Sequence, residues 1–364
     1  MNKRGYTVMN KSTSIYLDLI RFVAAFIVFA SHAAGARLTG GLFWQIGPYG
    51  AEAVDVFFVL SGFVIAYVCD TREHDLTEYA ISRCARIYSV VAPALILTFV
   101  LDALGRAAKP SLYTADWGYA WTGRVSQFLH AITFTNQIWF NRIAPGSDLP
   151  FWSLGFEVWY YIAFGVVMFT SKRRRVVLMI LALLIMGPKI DALLPIWLMG
   201  VAAYHALAKW VIPLTLGWLM CVGAIIAWGG YEFLAWHLGR PVAANWLGRA
   251  HIIQDYIIGT LFTLHLIGFR RISHVPAGIL TKSAAPIRWI AGSTLTLYLM
   301  HLPLLQFVAA ESPWPVTAWQ TRSMELLGVP LTILVVAQFT ERRKKIWRDV
   351  FRNIFQNFAE ISAG

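Results

Sequence analysis

Charged side chains are scarce in this sequence. Aspartate, glutamate, lysine and arginine make up 14% of its 364 residues, whereas soluble domains carry about 25%. The mean hydropathy is +0.58, and 58% of the residues are hydrophobic. So little charge excludes the ordinary water-soluble classes, because such a chain could not cover itself with polar surface. The composition therefore predicts an integral membrane protein.

Cysteine is scarce as well, and two common signatures of chemistry are missing. Cys69, Cys84 and Cys221 are scattered, with no Cys-x-x-Cys pair and no histidine at ligand spacing. We therefore expect neither a disulfide framework nor a metal site. The pattern Gly-x-Ser-x-Gly does not occur, which argues against a serine hydrolase.

Acidic residues are fewer than basic ones, 19 against 31, which gives a formal net charge of +12. In a soluble protein this excess would suggest nucleic-acid binding. Here the lysines and arginines gather between apolar runs, as the positive-inside rule predicts, so no nucleic-acid partner is expected. With the N-terminus placed inside, the inner segments carry 21 of these cations and the outer segments nine. The charge pattern thus predicts that both termini are cytoplasmic.

Long apolar runs are abundant. Stretches near the spanning length of about 20 residues predict an all-α bundle of about ten transmembrane helices. They lie at residues 15–34, 52–69, 87–104, 151–170, 174–190, 191–207, 210–229, 251–269, 288–308 and 325–340. The first run contains charges that a cleaved signal peptide would lack, so we interpret it as a retained helix.

The remaining segments fit around this bundle. The outer loop at 105–150 contains a semi-apolar stretch at 125–134, which predicts a short helix packed on the bundle. Residues 341–364 combine basic and large apolar side chains, which is typical of an amphipathic helix on an anionic inner leaflet. We therefore predict a transmembrane domain at 1–340 and a cytoplasmic tail at 341–364.

Three ionisable residues stand inside the first apolar run. Asp18 and Arg21 are one turn apart, and His32 follows eleven residues after Arg21, which places all three on one helix face. An ionisable group costs about 2.5–3.5 kcal/mol at the centre of a membrane helix, so such residues need partners or a function. Arg21 could pair with Asp18 or bind a ligand anion.

His32 is the strongest candidate for a catalytic residue. A neutral imidazole can remove a proton from a hydroxyl at physiological pH. The alternative is a buried histidine bonded to a backbone carbonyl. Glu157, in the fourth predicted helix, could orient such an imidazole or could simply join two helices by a hydrogen bond.

Four further residues are candidates for substrate binding. Arg83 and Arg86, at the inner end of the third predicted helix, are spaced for phosphate contacts, although positive-inside anchoring explains them equally well. Ser61 precedes Gly62, and small residues usually serve close helix packing. His301 is a secondary site candidate, whereas His265 is interpreted as a packing residue.

Together these residues resemble the membrane acyltransferase 3 family, which places acyl groups on cell-surface and exported sugars. The resemblance rests on five segments: Arg21 with His32, the stretch from Val54 to Phe63, Arg83 with Arg86, Trp152-Ser153-Leu154 with Glu157, and Tyr298-Leu299 with His301 and Pro303. One departure concerns the residues after His32, where residues 33–37 supply no acid. A carboxylate partner for His32 would then have to be Glu157 or Asp18.

The resemblance implies acyl transfer, with acetyl-CoA as donor substrate, no bound cofactor and a carbohydrate acceptor. His32 would act as general base, with a transient acyl carrier as the alternative role, and Glu157 would support the imidazolium. Arg21, paired with Asp18, and the two arginines at 83 and 86 would line the donor path. Ser61, Trp152 and His301 would contact substrate. The implied location is the bacterial inner membrane, and a homo-oligomer is compatible with it. A proton-coupled secondary transporter of a small or acylated substrate stays open as the alternative.

Overall fold

The fold is helical throughout the part of the chain that the structure describes. The computed structural model describes residues 9–115, 119–120, 122–242 and 249–363, with side chains up to residue 357. Helix makes up 79%, and these residues contain no strand. The predicted all-α class is confirmed. Lys3 and Arg4, which entered the charge count, lie outside the described residues.

Seventeen α-helices lie in the described part of the chain. In the described ranges they are α1 (Lys11–Ala33), α2 (Ala36–Thr39), α3 (Tyr49–Thr71), α4 (Leu76–Ala108), α5 (Arg124–Ile132), α6 (Trp152–Phe169), α7 (Lys172–Met186), α8 (Pro188–Asp191), α9 (Leu194–Lys209), α10 (Leu214–Leu238), α11 (Ile252–Ile272), α12 (Ala277–Lys282), α13 (Ala284–Ala291), α14 (Thr294–Glu311), α15 (Trp319–Ser323), α16 (Val329–Val336) and α17 (Lys344–Ala363).

Most of the predicted spans are present. Among the described residues, eight helical segments are long and apolar enough to cross a bilayer, and α13 with α14 makes a ninth if the bent pair is one span. The predicted span at 174–190 corresponds to α7, whose 15 residues reach only about 22 Å at 1.5 Å per residue. A polytopic membrane bundle is confirmed, whereas the side on which each terminus lies stays a prediction.

Helix α4 begins earlier than the apolar pattern predicts. The Asp75 side chain accepts a hydrogen bond from the backbone N–H of Glu78 at 2.8 Å, which caps the helix and starts it at Leu76. We expected Arg83 and Arg86 at the inner end of this helix. They lie two to three turns inside it instead, because the capped first turns are helical although they are charged.

The chain divides into two compact units, which we describe separately. The first comprises Met1–Ala24, Ala51–Arg72 and Gly187–Ala291, and the second comprises Ala25–Gly50, Glu73–Met186 and Gly292–Gly364. The division falls inside α1, so Asp18 and Arg21 belong to the first unit and His32 belongs to the second.

In the first unit, α3 and α9 approach each other closely through two glycines. A Cβ built on Gly62 would overlap the carbonyl oxygen of Trp197, and a Cβ built on Gly200 would overlap that of Val59. Trp197 is completely buried, and its indole N–H donates to Ser61 Oγ at 3.2 Å. Gly62 and Gly200 therefore allow backbone-to-backbone packing, as the small-residue pattern around Ser61 predicted.

In the second unit, the C-terminal helix packs along α4. Arg348 and Arg352 of α17 pair with Glu78 at 2.9 Å and 3.4 Å, and the rings of Phe351 and Tyr88 lie 5.5 Å apart. The predicted helix in the tail is thus confirmed. Its binding to the membrane surface and the domain boundary at residue 340 stay predictions.

The short helix expected in the long outer loop is also present. It is α5, Arg124–Ile132, close to the predicted 125–134. The chain after it is fixed to α6, because the indole N–H of Trp159 donates to the Phe134 carbonyl at 3.0 Å. This loop therefore packs on the second unit as predicted.

Candidate active site

Two histidines meet in the second unit. His32 stands in the last turn of α1, and His301 stands in the middle of α14. His301 Nε2 lies 3.0 Å from His32 Nδ1, although the residues are 269 positions apart in the chain. His301 is completely buried, whereas His32 is partly covered by protein. This pair brings the first and last segments of the resemblance into contact.

Each imidazole is also held by the helix that carries it. His32 Nδ1 lies 3.0 Å from the carbonyl oxygen of Val28, and His301 Nδ1 lies 2.8 Å from that of Leu297. Both carbonyls are four residues earlier in their helices. We expected Glu157 or Asp18 beside His32. The side chain that bonds its imidazole is His301 instead, because the packing of α14 places that ring there.

The surroundings of His301 are aromatic and rigid. The Phe29 ring is nearly perpendicular to the imidazole, with centroids 6.2 Å apart, and the Tyr298 ring lies 6.4 Å away. The hydroxyls of Tyr298 and Ser153 share a hydrogen bond of 2.6 Å. Ser153 thus links the start of α6 to this site. Sequence reasoning quoted Tyr298 and Ser153 as motif residues but missed both as site residues.

Arg86 stands in a second polar group of the same unit. Its guanidinium interacts electrostatically with Tyr161, Glu157 and Glu341. The Tyr161 hydroxyl donates a short hydrogen bond to Glu157. Glu341 accepts hydrogen bonds from the backbone N–H groups of Leu295 and Thr296, at 3.0 Å and 3.1 Å. Glu157 therefore lies near Arg86, as a carboxylate that balances its charge.

Arg83 is bound differently from Arg86. It is buried and forms a short ion pair with Glu73, which is also buried. The guanidinium further lies 5.1 Å from the ring centroid of Tyr79 and 5.9 Å from that of Tyr161. Its charge is thus compensated within the protein.

Arg37 follows His32 in α2 and interacts with it electrostatically. Burial lowers the pKa of the Arg37 guanidinium to about 10, and the interaction with Tyr113 offsets part of this shift.

In the first unit, the two other charges of α1 form an ion pair. Arg21 lies 3.7 Å from Asp18, and Arg288 approaches the other Asp18 oxygen at 3.8 Å. The pairing alternative stated for Arg21 is thus present. A contact of either residue with ligand stays a prediction.

The remaining candidates have local structural partners. Ser61 accepts the Trp197 hydrogen bond described above. Trp152 begins α6, and its ring packs edge-on against Phe156 with centroids 5.2 Å apart. His265 bonds the Tyr16 hydroxyl, and its Nδ1 donates to the Cys221 carbonyl at 2.9 Å. Substrate binding by Ser61 and Trp152 stays a prediction, and His265 lies in a packing environment.

The first unit also contains a buried acidic cluster that sequence reasoning missed. Glu52 accepts from Trp228 at 2.9 Å, from Arg240 at 3.0 Å and from Gln254 at 2.6 Å. Asp255 binds both guanidinium nitrogens of Arg249, at 2.7 Å and 2.8 Å. Within the described part of the chain, no three histidine, cysteine or carboxylate side chains are placed to hold a metal ion.

Comparisons with known proteins agree with the segments noted above. The family model described as an acyltransferase domain, that of acyltransferase 3, matches residues 14–341. Acyltransferase MdmB of Streptomyces mycarofaciens is 33% identical over 155 residues, which cover 40% of this chain and 36% of that protein. The match thus spans about a third of the length of this relative. No solved structure matches the chain.

Proposed function

Because this chain belongs to the acyltransferase 3 family, we propose that it is a membrane O-acyltransferase. It moves an acyl group, acetyl in the simplest case, from acyl-CoA to a hydroxyl of a cell-surface or exported polysaccharide or of its lipid-linked precursor. The observation that carries this proposal is the pair of His32 and His301, because it unites two distant segments of a matched region that covers most of the chain. The membrane is the bacterial inner membrane.

The proposed reaction needs one base and no cofactor. His32 removes the proton from the acceptor hydroxyl while that oxygen attacks the thioester carbonyl carbon. The new C–O bond gives a tetrahedral intermediate, which collapses with cleavage of the C–S bond. The coenzyme A thiolate leaves and takes the proton from His32. The products are an ester and free coenzyme A, and the histidine returns to its neutral state.

The donor side of this proposal rests on Arg86 more than on Arg83. Arg83 is already paired with Glu73, whereas Arg86 interacts electrostatically with Glu157, Tyr161 and Glu341. A guanidinium binds phosphate through paired hydrogen bonds. We therefore assign Arg86 to a phosphate or to the thioester oxygen of the donor, with Glu157 holding its orientation through the shared electrostatic field.

Replacing Arg86 with glutamine is expected to raise the KM for acetyl-CoA about 10–100-fold, because a hydrogen bond to a charged group is worth about 1.5–3 kcal/mol. Arg86→Lys keeps the charge and should give a smaller increase. Steady-state kinetics in detergent would measure both. Arg352→Gln removes the same charge from a partly exposed pair on α17 and should leave KM unchanged. An unaltered KM in a folded Arg86→Gln protein would contradict the assignment.

The function itself can be tested with purified protein in sealed vesicles. The vesicles are supplied with acetyl-CoA and a lipid-linked oligosaccharide. We expect mass spectrometry to find acylated glycan and an equal amount of free coenzyme A. Empty vesicles are the control. Substrate uptake without acylated product would overturn the proposal in favour of a secondary transporter.

A further inference from the structure

We infer that His301 is a positioning residue that fixes His32 in one tautomer, so that His32 Nε2 is the atom that receives the substrate proton. This inference rests on the proposed function for its catalytic meaning. Its structural content concerns only five hydrogen-bonding groups. These are the carbonyl oxygens of Val28 and Leu297 and the ring nitrogens His32 Nδ1, His301 Nδ1 and His301 Nε2.

The tautomers follow from the two carbonyls. A carbonyl oxygen can only accept a hydrogen bond, so the nitrogen that faces it must carry a proton. His301 Nδ1 faces the Leu297 carbonyl at 2.8 Å, and His301 Nε2 is then an acceptor when the ring is neutral. His32 Nδ1 faces both the Val28 carbonyl at 3.0 Å and this acceptor at 3.0 Å. His32 Nδ1 therefore carries the proton, and His32 Nε2 keeps its lone pair.

A single carbonyl would hold this arrangement less firmly. His32 stands in the last turn of α1, where only the Val28 contact comes from its own helix. His301 adds a second acceptor on the same N–H from a completely buried ring whose own Nδ1 is held by the Leu297 carbonyl. Phe29 and Tyr298 lie beside that ring, and Ser153 holds the Tyr298 hydroxyl. The orientation of His32 is thus set by three separate helices of one unit.

The same contact also helps once His32 is protonated. The imidazolium keeps its Nδ1–H on His301 Nε2, and a hydrogen bond from a charged donor is stronger than one from a neutral donor. His301 thereby takes the place that an orienting carboxylate has in a Ser-His-Asp triad, without a charge of its own. A neutral partner fits a ring pair buried among apolar helices, because a carboxylate there would have to be desolvated.

Two substitutions at His301 separate the acceptor from the donor. In His301→Gln, the side-chain oxygen can reach the place of Nε2 and accept from His32. In His301→Asn, the shorter amide can reach only the place of Nδ1, so it can donate to Leu297 but leaves His32 without the second acceptor. We expect His301→Asn to lower kcat about 10²–10³-fold with little change in the KM for acetyl-CoA. His301→Gln should recover at least about tenfold of this loss.

His265→Asn is the matched control, since it also removes a buried imidazole bonded to a helix carbonyl. It should leave kcat within about threefold of the parent protein. Equal kcat values for folded His301→Asn and His301→Gln would overturn the inference while the parent enzyme remains active. An inactive parent enzyme would instead count against the proposed function.

The tautomer of His32 can be measured without any enzyme activity. Histidine labelled with ¹⁵N reports the protonation of each ring nitrogen by its chemical shift, and His32→Gln identifies the His32 signals. We expect His32 Nδ1 to be protonated and Nε2 unprotonated in the parent protein, with a mixture of tautomers in His301→Asn. A dominant Nε2–H tautomer in the parent protein would overturn the inference, whatever the enzyme transfers.

Discussion

Replacing His32 with glutamine is expected to lower the kcat of acyl transfer about 10²–10⁴-fold, which is the usual contribution of a general base. Glutamine has a similar length and stays polar, so the helix end should remain intact. It cannot accept and return a proton at neutral pH. Rates of coenzyme A release, measured with a thiol reagent, would give the change directly.

His237→Gln is a suitable control for that substitution. Its Nδ1 also faces a carbonyl four residues earlier, that of Phe233 at 2.8 Å, but the residue is exposed. We expect full activity for His237→Gln. If folded His32→Gln retained the activity of the parent enzyme, His32 would not be the base and the proposed reaction path would fail.

The second large effect concerns stability. Gly62→Ala and Gly200→Ala should each destabilise the first unit by about 3 kcal/mol, because the added methyl group would meet backbone atoms that cannot rotate away. The Gly200 Cβ would lie 2.7 Å from the Phe63 nitrogen in addition to its overlap with the Val59 carbonyl. Helices α3 and α9 would have to separate. A lower melting temperature and more aggregate in detergent are the expected readouts.

Gly229→Ala provides a control of opposite sign. Gly229 lies inside α10, and a Cβ built on it meets nothing within 4 Å. Alanine in a helix interior is favoured over glycine by about 0.5–1 kcal/mol, so this substitution should leave the melting temperature unchanged or raise it. If Gly62→Ala melted like Gly229→Ala, the close approach of α3 and α9 would be incorrect.

Several features of the fold were predictable because they depend on local composition. Nine of the ten spans predicted from apolar runs correspond to helical segments long enough to cross a bilayer, when α13 and α14 count as one span. The exception is α7, which is helical but too short to be a span. Helix starts were less accurate, as α4 shows. Hydropathy detects the part of a helix that is apolar, whereas the Asp75 cap fixes where the helix begins, even when the first turns carry charge.

The sequence could predict which residues belong to the candidate site but not which of them contact each other. Intramembrane His32 and His301 could be selected individually, because polar groups in apolar runs need an explanation. Their contact could not be predicted, since they are 269 residues apart and no local pattern reports which helices pack together. The expectation of a carboxylate partner came from the usual chemistry of histidine, and the packing of α14 brought an imidazole instead.

By itself, the sequence determined that this chain is a helical membrane protein and which ionisable residues stand within its apolar runs. These properties follow from the composition of single segments, because each span must be apolar over its own length. Only the tertiary structure decided the partners: Glu73 for Arg83, Trp197 for Ser61, and His301 for His32. Partners are set by side-chain packing between helices, and no local sequence pattern reports that packing.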